Sequence, residues 1–205
     1  MPITLLTYGA IYRHKSFLKR RSIDMSFSAM NIPQLETERL LMREWRESDL
    51  EMVAEIYADE ETARYIGGTK PRWQAWRQMA AYIGHWQLRG FGFWVLEEKD
   101  SLNTIGYCGL WAPESWPENE VGYGLLPKFQ GKGYVSEAAI ESLKYAYSVL
   151  NWTTAISFID ANNIASQRVA ERMGAIKEGS SLLFDEMPAD IWRHLPPAEF
   201  KEKFS

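Results

Sequence analysis

Runs of alternating apolar and polar residues, or of aromatic and β-branched residues, mark several short segments of the chain as strands. In RLLMREW (39–45), Leu, Met and Trp are interspersed with Arg and Glu, which is typical of a half-buried strand. The segment 91–98, FGFWVLEE, is rich in aromatic and branched residues. The segment 104–111, TIGYCGLW, follows the turn KDSLN and is predicted to be its partner strand. The predicted strands are residues 39–45, 91–98, 104–111, 120–126, 153–159, 175–181 and 190–195.

Apolar residues at helical spacing follow the first predicted strand. Ser48 and Glu51 have the spacing of a capping box with Ser48 as N-cap, so we expect a helix to begin there. A Trp-rich helix is predicted from Thr69 to Arg89, with Gly90 as its stop signal. Both helices precede the predicted strand pair 91–98 and 104–111.

Two further helices are predicted in the second half of the chain, over 135–150 and 162–174, the latter ended by Gly174. The order of elements is then β-α-α-β-β-β-α-β-α-β-β. Internal repeats of the kind that build solenoids are not visible. The pattern therefore predicts a single domain of mixed α/β class.

Composition narrows the class of protein. The chain has 205 residues, 46% hydrophobic and 24% charged, which is enough for one domain with a sizeable core. Apolar runs stay well short of the roughly 20 residues of a membrane-spanning helix. A single cysteine, Cys108, excludes an internal disulfide framework and favours a cytoplasmic location. Cys and His do not cluster at metal-ligand spacing, so we expect no metal site.

Charge is distributed unevenly along the chain. The net charge is −4, yet residues 1–29 carry +4 and the remainder carries −8. The acidic body argues against nucleic acid as the main partner and is compatible with a cationic acceptor such as an amine. Residues 1–33 are interpreted as an N-terminal extension, with an upstream start or a targeting segment as alternatives, and 34–205 as the domain.

The stretch FQGKGYVSEAAIESL (129–143) places two glycines and a lysine before a predicted helix. It is not a P-loop, because Gly133 follows Lys132 where Ser or Thr is required, and Pro127 stands where a dinucleotide fingerprint needs its third glycine. A glycine turn leading into a helix N-terminus nevertheless has the features of an anion site.

Three segments together resemble the GNAT superfamily of N-acetyltransferases. EVGYGLLPKFQGKGYVSEA (120–138) is similar to the acetyl-coenzyme A motif, and NIASQRVAERMG (163–174) to the second motif of that family. ETERLLMREW (36–45) resembles the first strand of its Rim-type branch, whose founders acetylate ribosomal-protein N-termini. The resemblance runs from about Glu36 to Leu195.

The resemblance implies an α/β (α+β) fold with a mixed, mostly antiparallel central sheet and helices on both faces. Its central strands, here 120–126 and 153–159, would splay apart to admit the acetyl-pantetheine arm. No metal is implied. For Lys132, pointing into solvent is an equal alternative to contact with the phosphate. Val135 stands at a position where the family usually has Gly or Ala. The expected acetyl-CoA contacts are Leu125, Leu126, Gln130, Gly131, Lys132, Gly133, Tyr134, Val135, Ser136 and Asn163.

Acetyl transfer from a thioester to an amine requires amine deprotonation, oxyanion stabilisation and thiolate protonation. The resemblance implies Glu120 as the base, with a solvated strand-end residue as the alternative. Many relatives have a tyrosine seven residues after the motif Asn, where this chain has Ala170, which excludes tyrosine at that site. In Rim-type relatives a serine three residues after the Asn faces the sulfur, and Ser166 matches it, with a helix-turn serine bonded to the backbone as the alternative. Backbone N–H near Leu125 is the expected oxyanion donor. Cys108 is expected to be buried rather than catalytic.

Two functions are compatible with these residues. The first is an acetyl-CoA-dependent N-acetyltransferase acting on a protein N-terminus or a small amine, with neither nucleic acid nor membrane as a partner. The second is a non-catalytic acyl-CoA-binding module on the same fold. Glu120, Asn163 and Ser166 together favour the enzyme. A monomer and a homodimer are both compatible with the sequence.

Overall fold

A computed structural model describes residues 32–183 and 187–205. The strands are β1 (Leu35–Glu36), β2 (Leu40–Arg43), β3 (Phe93–Glu98), β4 (Thr104–Trp111), β5 (Glu120–Leu125), β6 (Ile156–Ile159), β7 (Ile176–Leu183) and β8 (Met187–Arg193). The helices are α1 (Leu50–Ala58), α2 (Glu60–Ala63), α3 (Arg72–Arg89), α4 (Tyr134–Ser148), α5 (Ile164–Arg172) and α6 (Pro197–Phe204). Single 3₁₀ turns cover Glu47–Asp49 and Pro127–Phe129.

The strands form one sheet in the order β1-β2-β3-β4-β5-β6-β8-β7. Neighbouring strands are antiparallel except β5 and β6, which run parallel. Only one residue pair, Glu120 with Ile156, joins these two strands, and beyond it they diverge. The mixed, mostly antiparallel sheet with splayed central strands is thus confirmed.

Helices cover both faces of the sheet, as expected. Tyr107 and Cys108 are consecutive in β4, so their side chains point to opposite faces. The Tyr107 hydroxyl accepts a hydrogen bond from Tyr82 of α3 (3.1 Å) on one face. On the other face, Cys108 Sγ lies 3.9 Å from Ser142 Oγ of α4. Cys108 is fully buried, and burial raises the pKa of its thiol to about 12.

Glycines in β4 and β5 let aromatic rings pack against the backbone. A Cβ on Gly124 would lie 2.5–2.7 Å from ring atoms and the hydroxyl of Tyr107, far inside contact distance. The Tyr107 hydroxyl in turn joins a buried chain of hydroxyls with Tyr82 and Tyr57. Gly124 is therefore needed so that the Tyr107 ring can pack against the backbone of β5, and not to form a turn.

The start of α1 differs from the prediction. The expected capping box of Ser48 and Glu51 is wrong, because α1 begins at Leu50 after a 3₁₀ turn. Asp49 is the residue that organises this start: its carboxylate accepts the Arg46 N–H (2.7 Å). The same carboxylate binds both terminal nitrogens of buried Arg43 (2.8 and 2.9 Å).

Other boundaries agree or shift for local reasons. Strand β4 has the predicted bounds, and α3 ends at Arg89 with Gly90 at φ 77°, although it begins at Arg72 rather than Thr69. Strand β1 and helices α2 and α6 are additional elements. Residues 1–31 of the predicted extension lie outside the described residues. Its last two residues contact the core: Ile32 is buried, and the Pro33 carbonyl accepts the Trp94 indole N–H (2.7 Å).

Candidate active site

A cavity of about 290 Å³ opens where β5 and β6 diverge. It is lined by Tyr123–Leu125 of β5, by the loop and first turn leading into α4, by one side of α5, and by the segment Glu61–Ile66 around α2. We call Gln130–Ser136 the loop end of this cavity. We call the region where β5 and β6 are still paired the apex. Its residues are Glu120, Ser157, Phe158 and His194.

The loop end presents an uncapped helix N-terminus. Gly131 and Gly133 have φ of 73° and 85°, a conformation that favours glycine, and Gly133 is the N-cap of α4 without a side-chain cap. The first backbone bond of the helix runs from Glu137 N–H to the Gly133 carbonyl (3.1 Å). The N–H groups of Tyr134, Val135 and Ser136 therefore have no acceptor within the helix. Such a terminus favours an anion.

Ser136 adds a side-chain donor at the same place. Its hydroxyl oxygen is buried and has no hydrogen-bond partner within the described residues, yet the residue lines the cavity. A buried hydroxyl without a partner is unfavourable unless a ligand group bonds to it. The loop end thus fits the pyrophosphate of coenzyme A. Tyr134 and Val135 also line the cavity, so the branched Val135 side chain does not close it.

Lys132 lies apart from the other loop residues. It is exposed and does not line the cavity, and its ammonium group sits 5.1 Å from the ring centre of Phe129. Gln130 lines the cavity and donates from Nε2 to the Leu125 carbonyl (3.1 Å) and to Thr62 Oγ1 (3.0 Å). Gln130 therefore connects the end of β5 to the α2 segment.

Backbone alternation in β5 decides which groups face the gap. The Leu126 N–H donates to the Ile105 carbonyl in β4 (2.9 Å), and the Leu126 carbonyl accepts from Phe129 N–H (2.9 Å). Antiparallel pairing alternates, so the backbone groups of Leu125 and Tyr123 point away from β4 and into the gap. Both backbone groups of Leu126 are thus bonded within the chain, and Leu126 does not line the cavity, whereas Tyr123 and Leu125 do.

Asn163 and Ser166 meet at the start of α5, and both line the cavity. The Asn163 side-chain oxygen accepts the Ser166 N–H (3.1 Å), so Asn163 is the N-cap of this helix. Its amide NH₂ group is not needed for that bond. The Ser166 side chain interacts with the Tyr123 hydroxyl, which opposes the strong rise in Tyr123 pKa caused by burial. A tyrosine therefore stands next to Ser166 although position 170 is alanine.

Sequence reasoning missed Tyr123 because it sits in the middle of a strand rather than in either motif helix. The direction in which Tyr123 faces follows only from the pairing of β5 with β4, and the sequence does not specify that pairing. One signal was present: Tyr123 lies three residues after Glu120 in the motif strand, and a strand rises about 3.3 Å per residue. Tyr123 is thus about 10 Å along β5 from the predicted base.

Glu120 lies at the apex and is buried. Its carboxylate accepts the Phe158 N–H from β6 (2.9 Å) and interacts with Trp116. Burial raises the pKa of Glu120 to about 8. Glu120 does not line the cavity itself. Nearby Glu118 is engaged by the Arg193 guanidinium (2.8 and 3.0 Å).

A second buried titratable group lies beside Glu120. His194 Nε2 is 3.0 Å from Ser157 Oγ, and that hydroxyl donates to the Val121 carbonyl (2.7 Å). The hydroxyl proton is thus used, which leaves Nε2 as the donor to Ser157. Burial lowers the pKa of His194 to about 4, so the imidazole is neutral at pH 7. The apex therefore holds two ionisable groups whose pKa values burial shifts in opposite directions.

Comparison with known proteins identifies the class. Residues 39–176 match the model of the acetyltransferase (GNAT) domain. The chain belongs to this GNAT acetyltransferase family, whose acyl donor is acetyl-CoA. It is 28% identical over 150 residues to the uncharacterized N-acetyltransferase YoaA of Bacillus subtilis, covering 72% of this chain and 85% of that protein.

Solved structures share the fold. An acetyltransferase from Agrobacterium tumefaciens matches with a TM-score of 0.74 at 24% identity, over 90% of this chain and 99% of that one. RimL, a ribosomal alpha-N-protein acetyltransferase solved with coenzyme A, matches with a TM-score of 0.65 at 16% identity, over 80% and 98% of the two chains. Within residues 32–183 and 187–205, no helix is suited to spanning a membrane, and no cluster of metal-binding side chains is found.

Proposed function

We propose that the chain is an N-acetyltransferase that moves the acetyl group of acetyl-CoA directly to a primary amine. The observation that carries this proposal is the continuity of the cavity. It leads from an uncapped helix N-terminus with a partnerless Ser136 hydroxyl to Tyr123 and Ser166, next to the apex with its carboxylate of raised pKa. The likeness to RimL supports a protein N-terminus as one acceptor, with a small-molecule amine as the alternative.

The base in this proposal is Glu120. It takes a proton from the ammonium form of the acceptor, directly or through a water molecule, and the free amine then attacks the thioester carbonyl. A carboxylate with a pKa of about 8 is a stronger base than an ordinary one, and it is still partly ionised near neutral pH. The acidic body of the chain is compatible with a cationic acceptor.

Three groups act on the thioester in this proposal: the Leu125 N–H, Ser166 and Tyr123. The Leu125 N–H, which backbone alternation turns into the gap, stabilises the oxyanion as the carbonyl becomes tetrahedral. Collapse of that intermediate breaks the C–S bond and leaves a thiolate. The nitrogen still carries a second proton, which it must lose to become an amide. Ser166 and Tyr123 hydrogen-bond to the sulfur and relay this second proton to the thiolate, while Glu120 returns to solvent the proton that it took from the ammonium form.

The test is release of free thiol from acetyl-CoA with the full chain and a panel of acceptors: peptide N-termini, polyamines, aminoglycosides and amino-acid analogues. Thiol release that depends on one acceptor class, with mass spectrometry locating the acetyl group on nitrogen, supports the proposal. Binding of acetyl-CoA without thiol release from any acceptor favours the alternative, a non-catalytic acyl-CoA-binding module. The burial of Glu120 outside the cavity lining is the observation that favours this second function.

A further inference from the structure

The turn between β1 and β2 reaches across to the loop end. Thr37 Oγ1 donates a hydrogen bond to Glu137 Oε1 in the first turn of α4, and the Arg39 N–H donates to the same oxygen (2.8 Å). The Arg39 guanidinium binds the other carboxylate oxygen from Nε (2.7 Å) and Nη2 (2.6 Å). The turn between β1 and β2, about 100 positions away in sequence, thus binds the helix that begins at the anion site.

The same guanidinium also holds the loop itself. Arg39 Nη1 donates to the Lys132 carbonyl (3.0 Å), and the guanidinium carbon lies 4.4 Å from the ring centre of Tyr134. Arg39 therefore contacts three positions of the segment 132–137, and it does not line the cavity itself. The Lys132 carbonyl that Arg39 holds immediately precedes the N-cap Gly133, so this bond fixes the turn that leads to the free N–H groups of α4.

The ion pair between Arg39 and Glu137 also affects the charge near the anion site. Glu137 lies one turn into α4, close to the place where a pyrophosphate must bind. Burial opposes ionisation of Glu137, but bonds from Thr37 and Arg39 outweigh it and lower its pKa, so the carboxylate is charged. An unpaired carboxylate at this point would repel an anionic ligand. Arg39 offsets part of that repulsion.

We propose that Arg39 is a positioning residue of the coenzyme A site, which orients the loop end and neutralises Glu137. This inference rests on the proposed function, because it requires that coenzyme A binds here. It also assigns a physical role to the Thr-Glu-Arg sequence before β2. These residues take no part in the proposed steps of acetyl transfer.

The test is calorimetric titration of the full chain with coenzyme A. Arg39→Ala is expected to weaken binding at least tenfold, and Arg39→Lys less, because Lys keeps the charge but not the fork that reaches Lys132. Glu137→Gln alone is expected to tighten binding a few-fold. In the Arg39→Ala background, Glu137→Gln should recover part of the lost affinity. Acetyl-transfer assays should show a raised KM for acetyl-CoA and an unchanged kcat.

The matched control is Arg72→Ala, which breaks an exposed pair of the same kind with Glu51 outside the cavity and should leave affinity unchanged. Equal affinity of Arg39→Ala and wild type overturns the proposal. Glu137→Gln failing to improve the Arg39→Ala variant overturns the charge argument, and Glu137→Gln alone tests that argument if Arg39→Ala does not fold. Failure of the wild type to bind coenzyme A would instead refute the proposed function.

Discussion

The loop end of the cavity and the apex, which lies outside the cavity lining, are built in opposite ways. At the loop end, backbone N–H groups and the Ser136 hydroxyl have no helical or side-chain partner, and the contacts that fix them lie outside the cavity. At the apex, the protein itself bonds the Glu120 carboxylate and Ser157, and burial shifts the pKa values of Glu120 and His194. The contrast agrees with the proposed function, in which the loop end receives a charge and the apex moves a proton.

The largest expected effect is at the apex. Glu120→Gln keeps the shape and can still accept the Phe158 N–H, but it cannot take up a proton. We expect kcat to fall by roughly 10²- to 10⁴-fold, the usual range for loss of a general base. Affinity for coenzyme A should be unchanged, because the loop end is intact. Steady-state kinetics and calorimetry measure the two quantities separately.

The wild-type pH profile gives the same residue a second test. The active form is deprotonated and its pKa is about 8, so kcat/KM should rise with pH up to that value and level off above it. Glu118→Gln is the control, since Glu118 is engaged by Arg193 and should leave the profile unchanged. If Glu120→Gln turns over at the wild-type rate, Glu120 is not the base.

Tyr123→Phe is expected to have a smaller effect on turnover. It removes one hydroxyl from the sulfur-facing pair, and a hydrogen bond of that kind contributes about 1 kcal/mol, so kcat should fall roughly 5- to 10-fold. Ser166→Ala should act similarly, and the double variant should lose less than the product of both effects if the two hydroxyls act together. Fully multiplicative losses would contradict a shared relay.

Gly131→Ala tests the loop end alone. Gly131 has φ 73° with open space around it, so the substitution acts through backbone strain of about 1 kcal/mol rather than a clash. We expect roughly fivefold weaker coenzyme A binding with kcat retained. Gly90→Ala is the matched control, because Gly90 has φ 77° and equally open surroundings at the end of α3. The control should reduce thermal stability without changing affinity.

The smallest predicted effect concerns stability at the apex. The pKa of His194 falls to about 4 on folding from an ordinary 6.5, so the unfolded chain binds the proton first as pH drops. This group should therefore reduce the free energy of unfolding by about 0.8 kcal/mol between pH 8 and pH 6. Glu120 acts in the opposite direction there, because its raised pKa lets the folded state take up a proton first. Denaturant titrations of wild type and His194→Gln at both pH values isolate the His194 contribution.

The sequence predicted elements best where local signals and tertiary context agreed. Strand β4 was predicted at its true bounds because aromatic and branched residues lie between clear turn residues. Ser48 was a wrong N-cap because buried Arg43 and the Arg46 N–H draw Asp49 into that role instead. Helix α6 begins at the second of two consecutive prolines and is rich in charge, so its pattern alone did not distinguish it from a tail.

Site residues divide along the same line. The loop residues were predictable because a short motif carries them in sequence, and most of them line the cavity. Leu126 and Tyr123 were not, because their orientation depends on which backbone groups β4 uses. The role inferred for Arg39 depends on a contact with Glu137 almost 100 positions away, which only the fold brings together.

One bond at the apex offers a direct view of the proton chemistry. Where β5 and β6 part, the Phe158 N–H has a side-chain acceptor in Glu120 in place of a strand carbonyl. Protonation of that carboxyl group weakens it as an acceptor. The amide chemical shift of Phe158 should therefore titrate with the pKa of Glu120. That single backbone resonance would report the charge of the proposed base during substrate binding, without any label at the carboxyl group.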